Sequence, residues 1–321
     1  MKDLLRTADL TAHDLSTLLT LARAHRADPH AHADLLAGDT VVLYFSRPST
    51  RTRISFETAV ARLGGVPICV GPNELQLGRG ETIEDTARVL SRFARAIVVR
   101  TDEHDDVVRL AASATVPVVN ALTAAHHPCQ SLADVLTIKD RFGDRPVHVA
   151  YVGDGNNVAH SLMEACALAG IDITVATPPG YEPSEAVVDE AQRTSIHHDC
   201  LVRAMHDPLL AVAGADVVYT DVWLSMSQPA EEREARTRAL LPYRVDEGLF
   251  SYAAPDAVFL HCLPAHRGEE VSATVIDGPA SLVFDQAENR LHTAAAVLEA
   301  LLTDRLFGKA GFVEAALAGR V

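Results

Sequence analysis

Ser49-Thr50-Arg51-Thr52-Arg53 gathers three hydroxyls and two guanidiniums into five consecutive residues, a donor-rich set suited to a phosphate. The apolar run 41–45 before it reads as a strand, while Phe56, Ala59, Val60 and Leu63 behind it recur at i, i+3, i+4, i+7, the helical period. The five residues therefore open a helix. There the unpartnered backbone N–H groups and the positive end of the macrodipole favour an anion. An ordinary Ser/Thr cap with solvated arginines is the alternative reading of this segment alone.

Further polar residues follow directly on other apolar runs, where ligands sit in open α/β sheets. Arg100 follows 96–99, and Asn120 follows 116–119, ahead of His126-His127-Pro128-Cys129-Gln130. The run 147–152 leads into Gly153-Asp154-Gly155-Asn156-Asn157, 217–219 into Asp221-Val222-Trp223-Leu224-Ser225-Met226, and 258–260 into His261-Cys262-Leu263-Pro264. His127 with Gln130 offers donors to a carbonyl oxygen and an acceptor to an amide, although either histidine or Cys262 alone has a plain structural reading. The Gly153-Asp154-Gly155 turn lacks the third glycine of a dinucleotide fingerprint, which excludes a nicotinamide site.

The elements that must hold these residues are short apolar runs alternating with amphipathic segments such as 83–93 and 131–142. That alternation predicts an α/β fold of two doubly wound domains, each a mostly parallel sheet covered by helices. At 321 residues and 48% hydrophobic content the chain can fill two cores. The turn Gly143-Asp144-Arg145-Pro146 sets the expected boundary: a first domain at 1–142, completed by a C-terminal helix at 291–321 that packs back on it, and a second at 143–290. A net charge of -15 argues against nucleic acid and anionic membrane, so any phosphate site is a local basic concentration that Arg47, Arg51, Arg53 and Arg100 could supply. No stretch resembles a signal peptide or a membrane span, and a cytoplasmic protein is expected. The five cysteines are scattered without C-x-x-C spacing, against a disulfide framework or zinc site.

Taken together, Ser49-Thr50-Arg51-Thr52, His127-Pro128-Cys129-Gln130, Asp221-Val222-Trp223-Leu224-Ser225-Met226 and His261-Cys262-Leu263-Pro264, in this order over nearly the whole chain, resemble the aspartate/ornithine carbamoyltransferases. Cys262, where the aspartate branch would carry proline, points to the ornithine branch. Ser227 stands where glycine usually follows Ser-Met.

The resemblance implies transfer of the carbamoyl group of carbamoyl phosphate to the δ-amine of L-ornithine, with release of phosphate. It assigns the phosphate to Ser49, Thr50, Arg51 and Thr52, with Arg100 as a second cation and Gln76 closing over it. Arg51, Thr52 and His127 would surround the carbonyl oxygen, where each preorganised donor is typically worth about 3 to 4 kcal/mol. Gln130 and the main chain at Cys262 and Leu263 would orient the carbamoyl amide, with Arg290 near by. Asn157, Asp221, Ser225 and Met226 would read ornithine, Cys262 lying close to its amine. No metal or organic cofactor is implied. The expected assembly is a homotrimer or a multiple of it, with the polar loop 72–81 reaching a neighbour. A carbamoyltransferase for putrescine or an acylated ornithine, and a non-catalytic relative, are the competing expectations.

Overall fold

In the computed structural model of the chain, residues 1–224 and 233–308 are described. The chain divides into two compact units: Met1–Leu132 together with the chain from Asn289 on, and Ala133–Glu288.

In the first unit α1 (Ala12–Ala27) precedes β1 (Thr40–Phe45), α2 (Thr50–Arg62), β2 (Val66–Val70), α3 (Ile83–Leu90), β3 (Ala96–Arg100), α4 (His104–Ser113), β4 (Val118–Leu122) and the start of α5 (Pro128–Phe142), whose later turns belong to the second unit. The strands form one sheet in the order β2-β1-β3-β4, and every pairing is parallel. β3 is buried along its first four residues, and its Ile97 and Val99 pack with Ala87 of α3 and Val107, Leu110 and Ala111 of α4. Such two-faced burial is what a continuous apolar run, rather than an alternating one, requires. β2 is different: as an edge strand it leaves Val66 58% and Ile68 41% exposed.

The second unit holds β5 (His148–Val152), α6 (Asn157–Ala169), β6 (Asp172–Ala176), α7 (Glu185–Ile196), β7 (Val202–Met205), α8 (Pro208–Val212), β8 (Val217–Thr220), α9 (Arg233–Leu240), α10 (Glu247–Phe250), β9 (Val258–His261), α11 (Ala273–Ile276) and the start of α12 (Val283–Leu302). Its sheet runs β7-β6-β5-β8-β9, again all parallel. Ala150, Val218 and Phe259 of this sheet pack with Ala211, Leu249 and Ile276 of the covering helices.

Two parallel sheets covered by helices match the sequence expectation, with two local differences. β7 carries no apolar run, because an edge strand with two exposed residues in the middle needs none. The fourth strand starts two residues later than the apolar run, at Val118. Asn120 therefore lies inside β4, fully buried, with Nδ2 donating to the Leu5 carbonyl, and does not stand at the strand's end. The pairing of Leu4 with Val119 brings the N-terminal residues alongside β4.

The helix expected near the C-terminus starts at Val283, and in the first unit its later turns are tied down by buried polar contacts. His25 Nε2 lies 2.8 Å from Glu299, and the Asp14 carboxylate accepts from the backbone N–H groups of Phe307 and Gly308. The helix ends at Leu302, short of the expected span of 291–321, and the part of that span at 309–321 lies outside the described residues. Among the described residues no helix is long and apolar enough to cross a membrane.

Candidate active site

In the first unit the chemistry-bearing residues stand where strands β1, β3 and β4 end. Ser49 is the N-cap of α2, extended and with no side-chain capping bond, so its hydroxyl is not consumed in closing the helix. Arg51 and Thr52 occupy the first turn behind it. Arg100 ends β3, and His127 and Gln130 come from the start of α5 and the residue before it. Arg290 of α12 joins this set: its Nη1 donates to Gln130 Oε1 at 2.5 Å and its Nη2 to Thr52 Oγ1 at 2.8 Å. The side chain is almost wholly buried, so the guanidinium fixes the two acceptors rather than exchanging with water.

The electrostatics converge on His127. Burial holds its pKa well below the usual histidine range, and Arg290, Arg100 and Arg51 push it the same way. The imidazole is therefore neutral at pH 7 and keeps one N–H to donate. Three cations that all disfavour its protonation make this a locally positive environment in which the histidine can donate but not hold a charge. Cys129, beside it, is inert: burial pushes its thiol up to about 12.

Two of the four arginines expected to concentrate charge do not do so. Arg47 grips Asp102 through Nε and Nη2 at 3.1 and 2.9 Å, and Arg53 pairs with Glu57 one turn along α2 at 2.9 Å. Each already has a carboxylate within reach: Glu57 stands at the i+4 position of the same helix, whereas Asp102 lies 55 residues along the chain, where a one-dimensional reading cannot see it. Gln76 stands on the exposed loop between β2 and α3, as the N-cap of the short turn Leu77–Arg79.

The second unit assembles a distinct polar set at the ends of β5, β8 and β9. Asp221, just beyond β8, is buried and accepts from two neighbours: Cys262 Sγ donates to Oδ1 at 2.9 Å, and Asn156 Nδ2 donates to Oδ2 at 2.8 Å. Asn156 also caps α6 through Oδ1, which accepts from Val158 and Ala159. Sequence reasoning singled out Asn157 of this pair, now the first residue of α6; the side chain that reaches Asp221 belongs to Asn156. The adjacent asparagines before a helix were the signal, since only a residue with N-cap geometry can turn its amide both ways.

Arg236 is another residue that spacing did not reveal. Its Nη2 pairs with Asp154, its Nε donates to the Trp223 carbonyl at 2.7 Å, and its guanidinium lies over the Tyr181 ring. It thus holds the backbone two residues after Asp221. Burial and the charge of Asp221 push Asp154 up to about 6 against the pull of Arg236. Ser225 and Met226 lie outside the described residues.

Leu263 adopts φ +57°, a left-handed conformation that costs a non-glycine residue of order 1 kcal/mol and persists only when its surroundings impose it. Ligand atoms of Asp221, His261 and Cys262 lie within 4.8 Å of one another, as do those of His266, Glu269 and Glu270. In both clusters they are already engaged: Cys262 with Asp221, His261 Nδ1 with Leu263 N, and Glu269 with Arg233.

Residues 2–140 match the aspartate/ornithine carbamoyltransferase carbamoyl-P binding domain, and residues 145–301 the Asp/Orn binding domain of the same family. The chain is 54% identical over 295 residues to an ornithine carbamoyltransferase of Acidothermus cellulolyticus, covering 92% of this chain and 94% of that one. It is 50% identical to one from Bacillus subtilis, covering 94% of each. The solved ornithine carbamoyltransferase of Pyrococcus furiosus superposes with a TM-score of 0.89 at 51% identity, covering 94% of this chain and 96% of that one. With both domains matched and the polar sets standing at the strand ends that the motifs indicated, the chain belongs to the aspartate/ornithine carbamoyltransferase family.

Proposed function

We propose that the protein transfers the carbamoyl group of carbamoyl phosphate to the δ-amine of L-ornithine, giving L-citrulline and phosphate. The observation that carries this reading is buried Arg290 bonded to both Gln130 and Thr52 in the unit where Arg51 opens α2 and Arg100 ends β3, beside a buried His127 that these arginines keep neutral. A dianionic phosphate needs the cations, and a carbonyl becoming a tetrahedral oxyanion needs donors that stay in place. The ornithine carbamoyltransferases that the chain resembles at 50 to 54% identity carry the same activity in their names.

In this reading Ser49, Thr50 and Thr52 with the first-turn N–H groups of α2 hold the phosphate, Arg51 and Arg100 neutralise it, and Gln76 closes over it. Arg51, Thr52 and His127 take the carbonyl oxygen. Arg290 orders Gln130 and Thr52, and Gln130 with the Cys262 and Leu263 main chain orients the amide. Asp221 faces the α-ammonium of ornithine, aided by Asn156 and Asn157, with Ser225 and Met226 completing the amino-acid site and Cys262 near the amine.

The reaction forms a C–N bond as the C–O bond to phosphate breaks. The δ-amine, with a pKa of about 10.4 like lysine, is mostly protonated at pH 7, so one proton leaves on binding and a second passes to the departing phosphate. No side chain need act as a strong base. Alignment of the two substrates supplies up to roughly 7 to 11 kcal/mol of the acceleration. Both substrates are charged metabolites confined to water, which favours a cytoplasmic setting. A homotrimer is proposed as the assembly, supported by the exposed apolar side chains of edge strand β2, Val66 and Ile68, 58% and 41% exposed.

Purified protein given carbamoyl phosphate and L-ornithine should release citrulline and phosphate in equal amounts. Putrescine and N-acetylornithine, run in parallel, should be poor acceptors: N-acetylornithine leaves buried Asp221 without its cation, and putrescine, which keeps that ammonium, lacks the α-carboxylate of an amino acid. Faster turnover with either amine, or none with any, overturns the assignment.

A further inference from the structure

The turn His261-Cys262-Leu263 is braced by a buried polar frame. His261 ends β9 and is fully buried. Its backbone N–H donates to Gln286 Oε1 at 3.0 Å, and Gln286 Nε2 donates in turn to Asp134 at 2.7 Å and to the Tyr219 hydroxyl at 3.1 Å. The imidazole works on the other side. Its Nδ1 accepts from the Leu263 N–H at 2.8 Å, which leaves the ring proton on Nε2, and Nε2 lies 3.3 Å from Glu270 Oε1. Glu270 is also fully buried, and the same oxygen accepts from the backbone N–H of His266.

This chain of contacts ends at Leu263, the residue held at φ +57°. A leucine does not choose that conformation unaided, and the His261 ring, bonded to the Leu263 N–H with Glu270 3.3 Å behind it, bears directly on the turn. The neighbouring Cys262 then presents its thiol to Asp221. We infer that Glu270 is a positioning residue for the reaction: acting through His261, it holds the turn that aims the Cys262 thiol at Asp221 and sets the Cys262 and Leu263 main chain. This inference rests on the proposed role of that turn in binding the carbamoyl amide and the amine.

The role needs an acceptor at one place, not a charge. Glu270→Gln keeps a carbonyl oxygen for His261 and His266, Glu270→Asp withdraws the carboxylate by one methylene, and Glu270→Leu removes it. Two readouts separate this inference from the proposed activity: citrulline turnover, with wild type alongside, and the alkylation rate of Cys262 by iodoacetamide read by peptide mass spectrometry, with Cys69 as internal reference. Wild type failing to make citrulline sinks the proposed activity, while the alkylation series still reports on the turn.

With native circular dichroism, Glu270→Leu should lower kcat at least 100-fold and Glu270→Asp at least tenfold, each changing Cys262 alkylation at least fivefold. Carbamoyl phosphate should still bind within threefold of wild type, and Glu270→Gln should stay within threefold in every measure. Should Glu270→Leu not fold, the contrast of Asp with Gln carries the test. Folded Asp or Leu variants within threefold of wild type in turnover and alkylation, or a Gln variant as impaired as Leu, overturn the inference.

Discussion

Arg51 has two tasks under the proposed mechanism, since one guanidinium in the first turn of α2 must meet both the leaving phosphate and the developing oxyanion. Arg51→Ala is expected to lower kcat about a thousandfold while leaving the thermal unfolding midpoint within a few degrees. A change confined to the ornithine KM would remove Arg51 from that role. Asp221 is different in kind, a buried carboxylate that already accepts from Cys262 and Asn156 and so presents a fixed charge to an incoming ammonium. Asp221→Asn keeps the shape but loses the charge. Steady-state kinetics should show the ornithine KM rising roughly 100-fold, with carbamoyl phosphate affinity nearly constant; equal losses for both substrates would make the residue structural. Of these residues, Arg51, His127 and Cys262 stood out because hydroxyls, cations and thiols cluster at the ends of apolar runs. Asn156 and Arg236 did not, because their importance comes from a capping geometry and from a partner far along the chain.

At the scale of elements, the turn between β5 and α6 shows how closely backbone segments must approach to set side chains. A Cβ on Gly155 would lie 2.3 Å from the Pro183 nitrogen and 2.6 Å from the Tyr181 carbonyl oxygen, both backbone atoms. Gly155 N also donates to that oxygen at 2.9 Å, so the two segments cannot separate without losing the bond. Gly155→Ala is therefore expected to destabilise the protein by about 1 to 3 kcal/mol in urea unfolding, and to weaken ornithine more than carbamoyl phosphate by displacing Asn156. Unchanged stability would mean that the 181–183 segment gives way freely. This glycine answers the unfinished dinucleotide fingerprint seen in the sequence: it is needed for segment packing.

For the whole molecule, pH should act through buried histidines. His25, His104, His127, His148 and His198 all have pKa values lowered by burial, so the unfolded chain takes up protons near pH 6.5 that the folded chain resists. Below that pH the unfolded state binds more protons, and stability falls as pH falls, by about 1.4 kcal/mol per pH unit for each proton of difference. Asp154, held up to about 6, works the other way between that value and 3.8, as does Asp3, but they are two groups against five. Urea midpoints should drop between pH 7 and pH 5.5; a rise would show that the histidines titrate freely in the fold. The proposed trimer has its own test at this scale. Arg51→Ala and a variant combining Gln76→Ala with a deletion in the 72–81 loop, each inactive alone, are dissociated and reassembled together. Activity should partly return if the loop serves a neighbour's phosphate site, whereas mixed trimers that remain inactive would place loop and Arg51 within one chain's site.

The α/β class, the parallel sheets and the family were legible in the sequence alone, because strands buried on both faces must be continuous apolar runs and the groups that do chemistry must follow them directly. β7 and the start of β4 were not, since an edge strand needs no apolar run and a run can begin before its hydrogen-bonded ladder. Only the tertiary structure decided that Arg47 is drawn off by Asp102 and that Arg290, which the family resemblance placed near the amide, bonds Thr52 and Gln130; the pairing of Arg53 with Glu57 one helical turn on is local. Charge pairing depends on distance in space, and a sequence lists only distance along the chain. The same holds for the frame behind His261, where Asp134, Gln286 and Glu270 come from three separate segments and acquire meaning only when folding buries them together.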